Sequence, residues 1–164
     1  MTINKRFTRG RTLAAAVLFG AGALAALSSA HAIYNPPIRM SPQGVEYMAG
    51  GIGSEEAEFM EMVAPRWAAT LAFGVKGGRP ADFAAEVKVL VRDTASGKPV
   101  LDVRSSGPFL VARLAPGSYT VEAALAGQAM TQPLAVREGG AARVDFVWPS
   151  MPAPSLTAGA RAPS

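Results

Sequence analysis

Val87-Lys88-Val89-Leu90-Val91-Arg92 carries the clearest half-buried strand pattern in the sequence. Val87, Val89 and Val91 alternate with Lys88, Leu90 and Arg92, and a period of two sends the valines to one face of a sheet. Outward from it the same period recurs. Upstream, Trp67, Ala69, Leu71 and Phe73 alternate with Ala68, Thr70 and Ala72. Downstream, the Thr94 to Lys98 loop with Gly97 leads into Pro99 to Arg104, and Pro108 to Leu114 follows Gly107. Tyr119, Val121, Ala123 and Leu125 then alternate with Thr120, Glu122 and Ala124. Ala126-Gly127 turns the chain into Ala129 to Val136, where Pro133 removes a ladder donor and predicts an edge strand. Glu138-Gly139-Gly140-Ala141 reads as a hairpin, because two glycines tolerate the positive φ of a primed turn. Ala142, Val144, Phe146 and Trp148 complete the last strand. Seven strands so closely spaced predict an all-β, antiparallel two-sheet sandwich over residues 66–148.

Between the fourth and fifth of these strands stands Leu114-Ala115-Pro116-Gly117-Ser118-Tyr119-Thr120-Val121. Pro116 presets φ at the second position of a turn and Gly117 supplies positive φ at the third, so a type II turn is expected. Tyr119 then opens a strand with its ring on the Val121 face. Together with Gly107-Pro108-Phe109, this stretch resembles the carboxypeptidase regulatory-like domains, which carry Gly-x-Phe/Tyr and then Leu-x-Pro-Gly-x-Tyr-x-Val. The likeness runs from about Asp82 to Trp148. It implies a seven-stranded transthyretin-like (prealbumin-like) sandwich, and an accessory module of the cell envelope often appended to enzymes or transport proteins. It makes Pro116, Gly117 and Tyr119 structural residues of a turn. Transthyretin-like hydrolases depend on histidines that this sequence does not offer beyond residue 31.

Ahead of the strands, Ile33 to Gly53 is irregular in character, with Pro36-Pro37, Pro42 and Gly50-Gly51-Ile52-Gly53. Ser54 is placed to cap a short helix through its hydroxyl, and Glu55 and Glu56 suit the positive end of the helix dipole. Phe59, Met62 and Val63 give that helix its apolar stripe, and Pro65 stops it. The arm from Ile33 to Met48 carries Tyr34, Ile38, Tyr47 and Met48, more apolar than a free tail requires. Either it docks on the sandwich or it is the element that binds a partner. Removing it is expected to leave the sandwich folded.

The first 32 residues read as an export signal. Lys5, Arg6, Arg9 and Arg11 precede the apolar run Leu13 to Leu27, and Ala30-His31-Ala32 gives the small-x-small pattern of a cleavage point between Ala32 and Ile33. Four of the 16 Lys and Arg lie in this leader and all 12 Asp and Glu lie beyond it, so the mature chain carries 12 of each sign. The basic balance belongs to the leader. Nucleic acid is therefore not expected as a partner, because such binding needs a basic patch. No membrane span is expected after cleavage, and the location is periplasmic or secreted. The absence of Cys leaves the core to hold the fold without disulfides. Pro149 to Ser164, rich in Pro, Ala and Ser, reads as a disordered tail.

Enzyme chemistry finds little to use. The one histidine, His31, lies in the leader and there is no Cys, so the mature chain offers no Ser-His-Asp or Cys-His site and no His-ligated zinc. No catalytic residue and no cofactor are expected. The glycines before the helix lack the Lys-Ser/Thr of a phosphate loop and read as a linker. Met60-x-Met62 offers thioethers of the kind that suit Cu(I), but positions i and i+2 point about 200° apart on a helix. Glu55, Glu56, Glu58 and Glu61 read as a solvated helix face. Trp67, Trp148, Tyr119 and Phe146 each lie on the apolar face of a strand, which favours the core; exposed, they would form an aromatic platform, with Trp148, at the end of its strand, the first to show. The expectation is a non-enzymatic exported module that contacts an envelope protein or peptide through Tyr34, Ile38, Tyr47, Met48 or Trp148, or along the Pro133 edge. The alternative is a soluble carbohydrate- or metal-binding protein using the aromatics or Met60 and Met62.

Overall fold

The computed structural model describes residues 35–77 and 84–149. The expected leader with its cleavage point, Tyr34, and the tail from residue 150 onward lie outside the described residues. Two sheets face each other. One contains, in spatial order, β5 (Pro99–Ser105), β4 (Val87–Asp93), β7 (Gly117–Leu125) and β8 (Gln128–Val136). Its neighbours are all antiparallel. The other contains β1 (Arg39–Met40), β2 (Glu46–Gly50), β6 (Phe109–Ala112), β3 (Ala69–Val75) and β9 (Ala142–Trp148). The valines of β4 are fully buried, and with Leu71, Phe73, Leu101, Leu110, Val121, Phe146 and Trp148 they form the core between the sheets.

The described residues are mostly β with one short helix, as expected, but they form nine strands. The two additional strands come from the arm read as irregular. β2 pairs with β6 and carries Tyr47 and Ala49 into the main core, while Met48 faces the other way. The strictly antiparallel expectation also needs correcting. β3 and β9 run parallel from Ala69↔Ala142 to Val75↔Trp148, so this sheet is mixed. The residues expected to form a hairpin do form a turn, with Gly140 N–H bonded to Arg137 C=O at 3.0 Å and Gly139 at φ 66. That turn carries the chain across to the other sheet instead of back along β8. A local turn closes the same way in either case, and only the partner strand differs.

The helix α1 (Ser54–Val63) covers the outer face of the mixed sheet. Met60 is fully buried beneath it with Met48, Ala64, Trp67 and Val111, flanked by Phe59, Val63 and Phe109. β6 is therefore buried on both faces, Leu110 and Ala112 inward and Val111 under the helix. The expected stripe is shifted by one place: Met62 is 64% exposed and Met60 takes the core position. Ser54 does not cap. Gly53 occupies that place without a side-chain bond, and Glu56 accepts the Gly51 N–H at 2.7 Å instead. The α-helix ends before Pro65, which enters a single 3₁₀ turn, Ala64–Arg66. Among the described residues no helix is long and apolar enough to cross a membrane.

The Pro116-Gly117 stretch departs from the type II turn expected of it. Gly117 is not in the positive-φ region and already pairs with Val136 as the first residue of β7. The corner is held by Tyr119, whose hydroxyl donates to Ala115 C=O at 2.7 Å. The two-residue hairpin between β7 and β8 does form as read, with Ala126 and Gly127 both at positive φ and Leu125↔Gln128 closing it.

Candidate functional site

A two-sheet sandwich offers unpaired strand backbone only at its edges. β8 is an edge strand, as Pro133 predicts. Counting from the closing pair of its hairpin, every second pair is hydrogen-bonded, and Pro133↔Thr120 is a non-bonded one. The missing donor thus costs the ladder nothing. β8 also leans on β9, the edge of the other sheet. Gln132 Nε2 donates to Asp145 C=O at 2.7 Å and Trp148 Nε1 to Gln128 C=O at 3.0 Å. These bonds latch two edges to each other. The β5 edge carries the charged, exposed Asp102 and Arg104, and its Asp102 N–H is taken by Gln43 Oε1 from the loop after β1 at 3.1 Å. Charges and a cap are ordinary ways to close an edge.

β1 is different. Glu46 C=O receives Arg113 N–H from the β6 side, so Tyr47 is the β2 residue that bonds to β1, opposite Arg39. Ser41 N–H to Val45 C=O continues that alternation. The backbone groups of Ile38 and Met40 consequently point away from the sheet. Among the described residues none pairs with them. Both side chains are exposed, Ile38 by 58% and Met40 by 61%. Two residues apart on extended chain, they stand on one face, the helix-covered side shared with Met48.

The residues singled out in the sequence separate accordingly. Ile38 lies at the open edge. Tyr47 is half-buried against the main core, and Met48 is buried under α1, so neither is available to a partner. Trp148 is corrected outright: it is 1% exposed, packed between Phe73 and Phe146, with its indole N–H satisfied by Gln128. Trp67 is buried as well, and its ring lies under the Arg113 guanidinium at 4.7 Å. No aromatic platform results from these four rings. Met60 and Met62 lie one inside and one outside the helix face, so their sulfurs do not converge. Of the expected turn residues, Tyr119 bonds back to Ala115, Gly117 lies in β7, and Pro116 is exposed. Burial, and secondarily the Asp93 carboxylate, hold the Tyr119 phenol above its ordinary pKa. Asp93 itself is held below the usual value by bonds from the Ser96 hydroxyl and N–H, both 2.7 Å.

One feature escaped the sequence reading. At the end of the sandwich where β3 begins and β6 ends, a cleft of about 590 Å³ opens. Pro65, Trp67, Leu114, Pro116 and Val136 give it an apolar lining, and Arg66, Arg113 and Arg137 supply charge alongside Glu138. The three arginines are far apart in sequence, and only the strand order gathers them. No family model matches the chain, and no curated protein matches it in sequence.

Proposed function

We propose that this chain is an exported, non-enzymatic module of the cell envelope that contacts another protein or peptide by accepting an extended segment along β1. The observation that carries the reading is the open edge itself. Three of the four sheet edges are latched, charged or capped, whereas β1 turns the N–H and C=O groups of Ile38 and Met40 outward with two exposed apolar side chains beside them. An added strand would complete these bonds and cover those side chains, which is how strand addition combines affinity with specificity. The tripartite leader supports export. The carboxypeptidase regulatory-like, transthyretin-like assignment rests on the Leu114 to Val121 motif, on the small two-sheet architecture, and on the Tyr119 to Ala115 bond that closes the corner. The nine strands and the extended Gly117 are departures from that family's pattern. The four rings that a carbohydrate platform would use are buried, and of the methionines that a thioether site would use Met48 and Met60 share one buried cluster while Met62 is exposed.

The test uses exported protein, whose intact mass is expected to begin at Ile33, as bait in envelope extracts. Met40→Pro removes one outward N–H without touching the Arg39 pairing or the Met48 core. Captured partner should be lost with Met40→Pro while the melting temperature stays within a few degrees. Undiminished capture by a folded Met40→Pro protein would remove β1 from the contact.

A further inference from the structure

The arginine cleft stands apart from the β1 edge and carries an inference of its own. Arg113 is already engaged: its Nε lies 2.8 Å from Glu46 Oε2, and its guanidinium stacks on Trp67. This pair forms one wall and is structural. Arg66 and Arg137 are exposed, and among the described residues neither has an ion-pair partner. Glu138 offsets one of the two. The cleft is thus short of a single negative charge. Its lining is part polar and part apolar, the apolar part is one that an inorganic ion would leave unused, and its volume falls within the range of small-ligand sites. Guanidinium groups match carboxylates through paired N–H donors.

We infer that this cleft binds an organic monoanion, a carboxylate on an apolar body, with Arg66 and Arg137 holding the carboxylate and the Trp67, Leu114 and Val136 side receiving the body. The carboxylate has two sources, a free small acid or the C-terminus of a peptide. Full-length protein labelled with ¹⁵N is titrated with 3-phenylpropionate, with 3-phenylpropionamide, with an acetylated tripeptide ending in Phe as free acid and as amide, and with inorganic phosphate. Each acid should shift the amide resonances of Arg66, Arg137 and Gly140 and bind more tightly than its amide. A stronger response to the tripeptide acid assigns a chain terminus, and a stronger response to phenylpropionate a free acid. The double variant Arg66→Gln/Arg137→Gln should weaken the acids by about tenfold or more. Glu138→Gln, which removes the competing charge, should tighten them about two- to fivefold, so a gain as well as a loss is expected. Amides that bind as well as acids, phosphate that binds as tightly, arginine variants that keep full affinity, or no response to either acid would each overturn the inference.

Discussion

Tyr119 shows how a single side chain can hold a corner that sequence assigns to the wrong residue. The Pro116-Gly117 pair looks like the device that turns the chain, yet Gly117 is extended, and a Cβ added there would meet the Tyr119 hydroxyl at 3.4 Å, an ordinary contact. The hydroxyl instead reaches back to Ala115 C=O, tying the approach to β7 onto its first turn of strand. Tyr119→Phe keeps the buried ring and removes that bond, so it should cost about 1–2 kcal/mol, the net worth of a hydrogen bond whose carbonyl partner is left short. Chemical denaturation should show a lower midpoint with an unchanged slope. An unchanged midpoint would mean that the corner is held by the ring alone. At this scale the sequence reading placed Tyr119 well, because ring burial follows from strand parity. It misplaced Met62, and it left Trp148 open between core and partner contact. Helix stripes differ by one residue when the entry angle of the helix is unknown, and nothing local says that the end of β9 is covered by the β7–β8 hairpin.

Among the elements, β2 is the one that periodicity could not show. Tyr47 and Ala49 face the main core, but Met48 faces the helix, so both sides of the strand are apolar and the contrast between faces disappears. Periodicity also hides the parallel partnership of β3 and β9, since pairing partners are not written in either strand alone. What fixes β2 is close backbone approach. A Cβ at Gly107 would collide with the Gly50 carbonyl, and Gly50 in turn is packed against Pro36 and the Glu56 carboxylate. The carboxylate of Glu56 bonds Gly51 N–H, so α1, β2 and the turn before β6 are clamped at one point. Gly107→Ala must push β2 away or distort the turn, and overpacking of this kind costs about 1–3 kcal/mol. Thermal melting of the variant should show the loss, and hydrogen exchange should localise it to β2 and α1. A variant with unchanged exchange in β2 would show that the clamp yields at no cost.

The described residues form a sandwich with a third layer, and the third layer depends on the arm. Sequence made the strands of the two sheets legible, because one-sided burial writes alternation into them. It left the arm open between docked segment and free binding element, because an arm apolar on both faces looks the same in either role. The structure docks the described part of the arm: Tyr47 and Met48 pack into the two cores, and Arg39–Met40 pairs with β2 as an edge strand. Deleting residues 33–48 is therefore expected to unfold the sandwich, where the sequence reading expected it to stay folded. The deletion strips Met48 from under α1, takes Tyr47 from the main core, removes the Glu46 partner of Arg113, and uncaps β5 by losing Gln43. Loss of a buried Met side chain alone costs about 2–5 kcal/mol, against a total stability for a small domain of about 5–15 kcal/mol. The truncated chain should be unfolded or molten at 37 °C by near-ultraviolet circular dichroism. By contrast, Ile38→Ser/Met40→Ser changes only exposed side chains and should melt within a few degrees of the parent. A cooperative melt of the truncated chain near the parent temperature would show that β2 and α1 are dispensable. A large loss of stability from the double serine variant would show that β1 is buttressing the sandwich, and its open edge would then be a feature of packing rather than of contact.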